Sequence, residues 1–127
     1  MNPVVLDASA LLAVLNQEPG YKMVEAQLSH AIISAVNLSE TITVLTQIGI
    51  DLETAETLTA EIVSQIVSFD HVHAVTAAEL RNATKAQDLS LGDRACLALA
   101  KLKKLPVLTA DKAWGRLELG INIQIIR

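Results

Sequence analysis

Three short aliphatic runs, Val4–Leu6, residues 31–35 and Val107–Thr109, constrain the fold of this chain more than any other feature. Each is too short for a helix. Each is followed by a segment whose apolar residues recur at helical spacing. Strands that alternate with helices imply a parallel sheet with helices on both faces, because parallel neighbours need a crossover. The spacing predicts helices over 9–15, 21–28, 37–48, 51–66, 77–85, 92–105 and 112–117. The helix over 51–66 rests on Leu52, Ala55, Leu58, Ile62 and Ile66. A weaker third strand is expected within 67–75 and a last one over 121–126. Glu18-Pro19-Gly20, Gly49, Pro106 and Gly120 punctuate these elements. The expectation is α/β: three layers, α/β/α, around a central parallel sheet of four to five strands. No linker, repeat or low-complexity stretch divides the chain, so residues 1–127 are read as one domain.

With 51% apolar residues but only 2% aromatic, the core must be built from Leu, Ile, Val and Ala. The mean hydropathy of +0.39 is high. No stretch approaches the ~18 uninterrupted apolar residues of a membrane span, so the surplus is expected on a partner or dimer surface. Met1-Asn2-Pro3 runs straight into a strand-like segment, without the basic and apolar regions of a secretory signal. The single cysteine, Cys96, excludes an internal disulfide and a Cys-rich zinc site. Lying among Ala95, Leu97 and Ala98, it reads as a small buried residue. These features fit a reducing cytoplasm and no membrane.

The net charge of −4 argues against a polyanionic partner until its distribution is considered. Residues 1–80 hold one base, Lys22, and ten acids, whereas residues 81–127 hold nine bases and four acids. Such asymmetry suits a protein with one polyanion-facing side. Lys101, Lys103 and Lys104 also suit a helix C-terminus.

Four acids stand where one element gives way to the next. Asp7 ends the first strand and Asp111 follows the strand at 107–109. Glu40 and Asp93 lie in the first turns of helices. In open parallel sheets ligands bind beyond the carboxyl ends of the strands, where all four carboxylates can meet. Each acid also has an ordinary explanation. Asn37-Leu38-Ser39-Glu40 and Ser90-Leu91-Gly92-Asp93 look like N-caps with their capping-box acids. Asp7 and Asp111 can each cap the following helix. The set together is harder to explain, because four like charges in one cleft call for a hard cation, Mg²⁺ or Mn²⁺. Glu53, Glu56 and Glu61 read as a solvated helix face. Asp70-His71-Val72-His73 alternates like a strand and lacks further metal ligands at suitable spacing. The chain has no glycine-rich phosphate loop, nucleophile elbow or Cys-His pair.

Val4-Val5-Leu6-Asp7-Ala8-Ser9-Ala10-Leu11 resembles the opening of PIN-domain ribonucleases. Ser34-Ala35-Val36-Asn37-Leu38-Ser39-Glu40 is similar to the segment with their second acid. Leu91-Gly92-Asp93-Arg94-Ala95-Cys96-Leu97-Ala98-Leu99-Ala100 is similar to the segment with the third, and Leu108-Thr109-Ala110-Asp111-Lys112-Ala113-Trp114 to that with the fourth. The motifs occur in order over nearly the whole chain. Within that family the chain looks like the VapC-type toxins of toxin–antitoxin pairs. The resemblance implies a PIN-like fold, with Asp7, Glu40, Asp93 and Asp111 as catalytic and metal-binding acids. It implies hydroxyls at Ser9 and Thr109 that order them. It further implies Mg²⁺- or Mn²⁺-dependent cleavage of RNA, a homodimer, and a cognate antitoxin over the cleft. The scarcity of aromatics and the acidic first half depart from an obvious RNA-binding surface.

On this reading metal-bound water attacks the phosphodiester, and no side-chain nucleophile is needed. Arg94, Lys112 and Arg116 are the bases nearest the acids in sequence and are candidate phosphate contacts. The apolar helix pair over 37–66 is the candidate partner surface. The rivals are a non-catalytic module of PIN-like shape, a receiver-like signalling domain and a dehalogenase-type phosphatase. A receiver would want adjacent acids after the first strand and an Asp ending a central one. The phosphatase would want a second Asp two residues after Asp7, where Ser9 stands.

Overall fold

The computed structural model describes residues 2–127. Five strands form one sheet: β1 (Val4–Leu6), β2 (Ala31–Ser34), β3 (Gln65–Val67), β4 (Val107–Thr109) and β5 (Ile123–Ile125). Their order is β3-β2-β1-β4-β5, and all four pairings are parallel. The helices are α1 (Ala8–Asn16), α2 (Tyr21–Glu25), α3 (Ala35–Gln47), α4 (Leu52–Ile62), α5 (His71–Ala83) and α6 (Leu91–Lys103). Short 3₁₀ turns occupy Leu28–His30, Lys85–Gln87 and Lys112–Arg116.

The two faces of the sheet follow from the two-residue period of a strand. Val5, Ile32 and Val107 point to one side and pack with Ala77 and Leu80 of α5, Leu97 and Leu99 of α6, and Trp114. Val4, Leu6, Ile33 and Leu108 point to the other, against Ala10 and Leu11 of α1 and Val24 of α2. The expected three-layer α/β/α arrangement is therefore present. Cys96 is fully buried in the first core, as its neighbours indicated.

Three expectations fail on the β2–β3 side of the sheet. The helix expected over 51–66 ends at Ile62, and its last two residues, Gln65 and Ile66, belong to β3 instead. No strand occupies most of 67–75, because Asp70 accepts from the His73 amide and starts α5 at His71. The expected N-cap Asn37 lies inside α3. Ser34 caps that helix, accepting from the Val36 amide, so α3 begins two residues early. Two readings of caps hold. Ser90 and Asp93 form a reciprocal capping box at the start of α6, and Asp7 and Asp111 cap α1 and the 3₁₀ turn over Lys112–Arg116. At the far end of α6, Lys104 takes a left-handed conformation and returns its amide to Ala100 and Lys101, which turns the chain into β4.

Gly20 ties the opposite rim together. Its φ of +90° is left-handed, and a Cβ there would overlap the carbonyl of Ile126. Arg127 completes this closure by donating to the Pro19 carbonyl and to Glu18.

Candidate active site

β1 and β4 are neighbours in register, with Leu6 opposite Leu108. The residues just beyond them, Asp7 and Thr109, are thereby brought together at the carboxyl edge. Asp7 is buried. One carboxylate oxygen accepts from the Ala10 amide at 2.9 Å and from Ser9 Oγ at 2.7 Å. The other accepts from Thr109 Oγ1 at 2.5 Å. The two hydroxyls are held in turn. Ser9 Oγ accepts from the Ala110 amide at 2.9 Å, and Thr109 Oγ1 accepts from the Asp111 amide at 3.0 Å. One hydrogen-bonded ring therefore joins the starts of α1 and of the turn after β4. Ser9 and Thr109 stand in it as hydroxyl donors to the acid.

Burial pushes the Asp7 carboxyl above its ordinary range. The bonds from Thr109, Ser9 and Ala10 pull it down, and the charge of Asp93 adds to the rise. The chain keeps a carboxylate where water solvates it poorly and another acid repels it. A cap alone does not require this, since an exposed Asp serves as well: Asp51 caps α4 at the surface.

Asp93 sits half-buried in the first turn of α6, one oxygen accepting from the Ser90 amide at 3.1 Å. Glu40 is exposed on α3, and its Oε1 accepts from Asn37 Nδ2 at 2.9 Å. The same Nδ2 donates to the Gly92 carbonyl at 2.9 Å, so one amide links α3 to the start of α6. Cys96 lies one turn beyond Asp93 on α6. Burial raises its thiol well above the ordinary range, and the charges of Asp7, Asp93 and Glu40 raise it further. Asp111 is exposed and caps the 3₁₀ turn by accepting from the Ala113 amide at 3.0 Å.

Among the described residues, no three His, Cys, Asp or Glu side chains stand close enough to chelate one ion. The acids line an edge. Such an arrangement fits a hydrated hard cation, since Mg²⁺ keeps several waters and takes one or two carboxylates directly. Asn37 Oδ1 points the same way: it is a buried acceptor without a protein partner, beside Glu40.

The bases divide. Arg94 donates to the Ala77 carbonyl at 3.1 Å and so fastens α6 to α5. Lys112 and Arg116 are exposed on the turn after Asp111. His71 is exposed while His73 is buried edge-on to Phe69, their ring centroids 6.0 Å apart, so the two histidines do not share a site. A cleft of about 310 Å³ between Lys101, Lys104, Pro106 and Ile121 lies at the other end of the sheet from the acids. Sequence reading missed Asn37 as a site residue and spent it as a cap. The signal was there, in Ser34 directly after Ile32-Ile33 as a better cap and in the three-residue spacing to Glu40.

Residues 4–119 match the PIN domain family. No curated protein matches the chain in sequence. Solved structures with the same fold include a toxin–antitoxin complex from Klebsiella pneumoniae, 20% identical, with TM-score 0.77 over 98% of each chain. A DNA-bound VapBC from Salmonella typhimurium is 19% identical, with TM-score 0.77 over the whole of both chains. VapC20 of Mycobacterium tuberculosis, described as a toxin cleaving the sarcin–ricin loop, is 13% identical, with TM-score 0.73 over 94% of this chain and 98% of its own.

Proposed function

The chain belongs to the PIN domain family, and from that premise we propose that it is an Mg²⁺- or Mn²⁺-dependent endoribonuclease, the toxin of a toxin–antitoxin pair. The observation that carries this reading is the buried, three-times hydrogen-bonded Asp7, its carboxyl raised by burial and by Asp93. Such a group gains most from a cation.

Asp7 and Asp111 would hold the ion directly, and Glu40 and Asp93 would hold it or its waters. The bound cation would supply an acidified water and offset the charge gathering on the phosphoryl oxygens. The protein's own part is positioning. Ser9 and Thr109 lock both oxygens of Asp7, and the Ser90 cap fixes Asp93. Lys112 and Arg116, exposed on the turn after Asp111, would meet RNA phosphates.

The partner reading rests on exposed apolar side chains. Ile48, Leu52 and Leu58, on and between α3 and α4, are 60%, 64% and 43% exposed. An apolar helix of an antitoxin would dock on such a face. We place a homodimer contact at a second set, Val72, Val75 and Leu91. No helix among the described residues is long and apolar enough to cross a membrane.

The test is incubation of antitoxin-free protein with total cellular RNA in Mg²⁺, Mn²⁺ or EDTA, beside Asp7→Asn. Discrete fragments that need metal and vanish in the variant are expected. No cleavage together with no metal binding would leave a non-catalytic interaction module.

A further inference from the structure

Asn37 is 1% exposed, and neither core uses it. Its Nδ2 donates at 2.9 Å both to Glu40 Oε1 on its own helix and to the Gly92 carbonyl on α6. Its Oδ1 has no partner among the described residues. Gly92 meets the same group from the other side, since a Cβ there would overlap the Glu40 carboxyl. The carboxylate of Glu40 therefore lies against bare backbone, one residue before Asp93. A side-chain amide is the smallest group that donates two bonds and still offers an acceptor. Aspartate in its place would have no donor and would repel Glu40.

We propose that Asn37 and Gly92 are positioning residues that set Glu40 beside Asp93, and that Asn37 Oδ1 accepts from a water bound at the acidic edge. This rests on the ribonuclease reading. Gly92 supplies the close approach, Asn37 the direction. The buried acceptor is filled only when a water stands between it and the acids, which makes the amide sensitive to what the edge holds.

The experiment compares wild type, Asn37→Ala, Gly92→Ala and Glu40→Gln, with the two double variants in the Glu40→Gln background. The substrate is a short RNA spanning the cut found in total RNA, and Mn²⁺ binding is followed separately by the spectroscopic signal of the free ion. Gly92→Ala leaves the helix intact, because what its Cβ meets is the mobile end of Glu40. It therefore serves even if Asn37→Ala folds poorly. The expected result for each single variant is a ~10–100-fold loss of kcat and Mn²⁺ affinity with little change in KM, the scale for groups that orient a ligating carboxylate. In the Glu40→Gln background both effects should shrink to below about threefold, because the residue they act through is already altered. Equal losses in both backgrounds, or none, overturn the inference. Wild type that neither cuts RNA nor binds Mn²⁺ overturns the ribonuclease reading instead, and this inference with it.

Discussion

Replacing Asp7 with Asn should raise the stability of the metal-free protein, or leave it unchanged, while abolishing its chemistry. The substitution preserves shape. Asn Oδ1 can keep the bonds from Ser9 and the Ala10 amide, and its Nδ2 faces Thr109 Oγ1, which has a second lone pair to accept it. The hydroxyl proton of Thr109 can then turn to Ser9 Oγ, 3.3 Å away. What is lost is the charge assistance on three bonds, about 1 kcal/mol each. What is gained is relief from an ionised carboxylate in a buried site. Because the folded protein raises the Asp7 carboxyl, with burial as the largest cause, the relief outweighs the loss. A net gain of 0 to about 2 kcal/mol would move Tm up by at most about 8 °C in a chain of this size. The sign with pH follows. A raised carboxyl stabilises most below its unfolded value, ordinarily 3.8, and that contribution is lost as pH rises through the folded value. The difference in stability between wild type and variant should therefore widen against wild type from about pH 4 towards neutrality. Mg²⁺ should reverse the order by binding only the wild type, adding about 2.7 kcal/mol at a hundred times Kd. Cleavage by the variant should fall ~10³-fold or more, the loss of about 4 kcal/mol of electrostatic stabilisation. Thermal melts at several pH values with EDTA or Mg²⁺, and RNA cleavage per folded molecule, measure all of this. A variant that melts well below wild type in EDTA yet cuts RNA at the wild-type rate would refute the reasoning and make Asp7 a structural cap.

Thr109→Val removes a donor that lowers the Asp7 carboxyl, so the acid limb of the pH–rate profile should move to higher pH; an unmoved limb denies Thr109 that role. Ser90→Ala breaks the capping box and should cost about 1 kcal/mol in urea unfolding, with weaker cleavage because Asp93 loses its orientation. Gly20→Ala meets both a left-handed φ and the Ile126 carbonyl and should cost about 2–3 kcal/mol; a change within about 0.5 kcal/mol would mean that this rim yields freely. Leu52→Ala and Ile48→Ala should each weaken binding of a cognate antitoxin by tenfold or more if they are anchors of that surface, and calorimetry with the purified partner reads it.

The parts of the fold that the sequence made legible are the ones buried on both faces. β1, β2 and β4 are short runs of uninterrupted aliphatics, and their neighbours in the sheet could be inferred from alternation with helices. β3 was hidden because it is an edge strand with Gln65 and Ile66 exposed, and because Ile62 and Ile66 keep a helical spacing across the true end of α4. The start of α5 was hidden by His71-Val72-His73, whose strand-like alternation gave no weight to Asp70 as a cap. At the site, Asp7, Asp93 and Asp111 were visible because each stands at an element boundary, whereas Glu40, expected in a first turn, lies in the second turn of α3. The Asn37 link was not, because it depends on how closely α3 approaches α6 at Gly92, fifty-five residues away, and local pattern is silent on that distance.

Trp114, the only tryptophan of the chain, is buried in the turn that Asp111 caps. The indole therefore works as a built-in optical gauge. Its emission should be blue in the native state and shift red in one step on unfolding, with no competing signal from a second indole. The Trp114 amide donates to the Asp111 carbonyl, so ions, nucleotides or partners that engage Asp111 should change the same emission and report occupancy of the acidic edge without a label or a substrate.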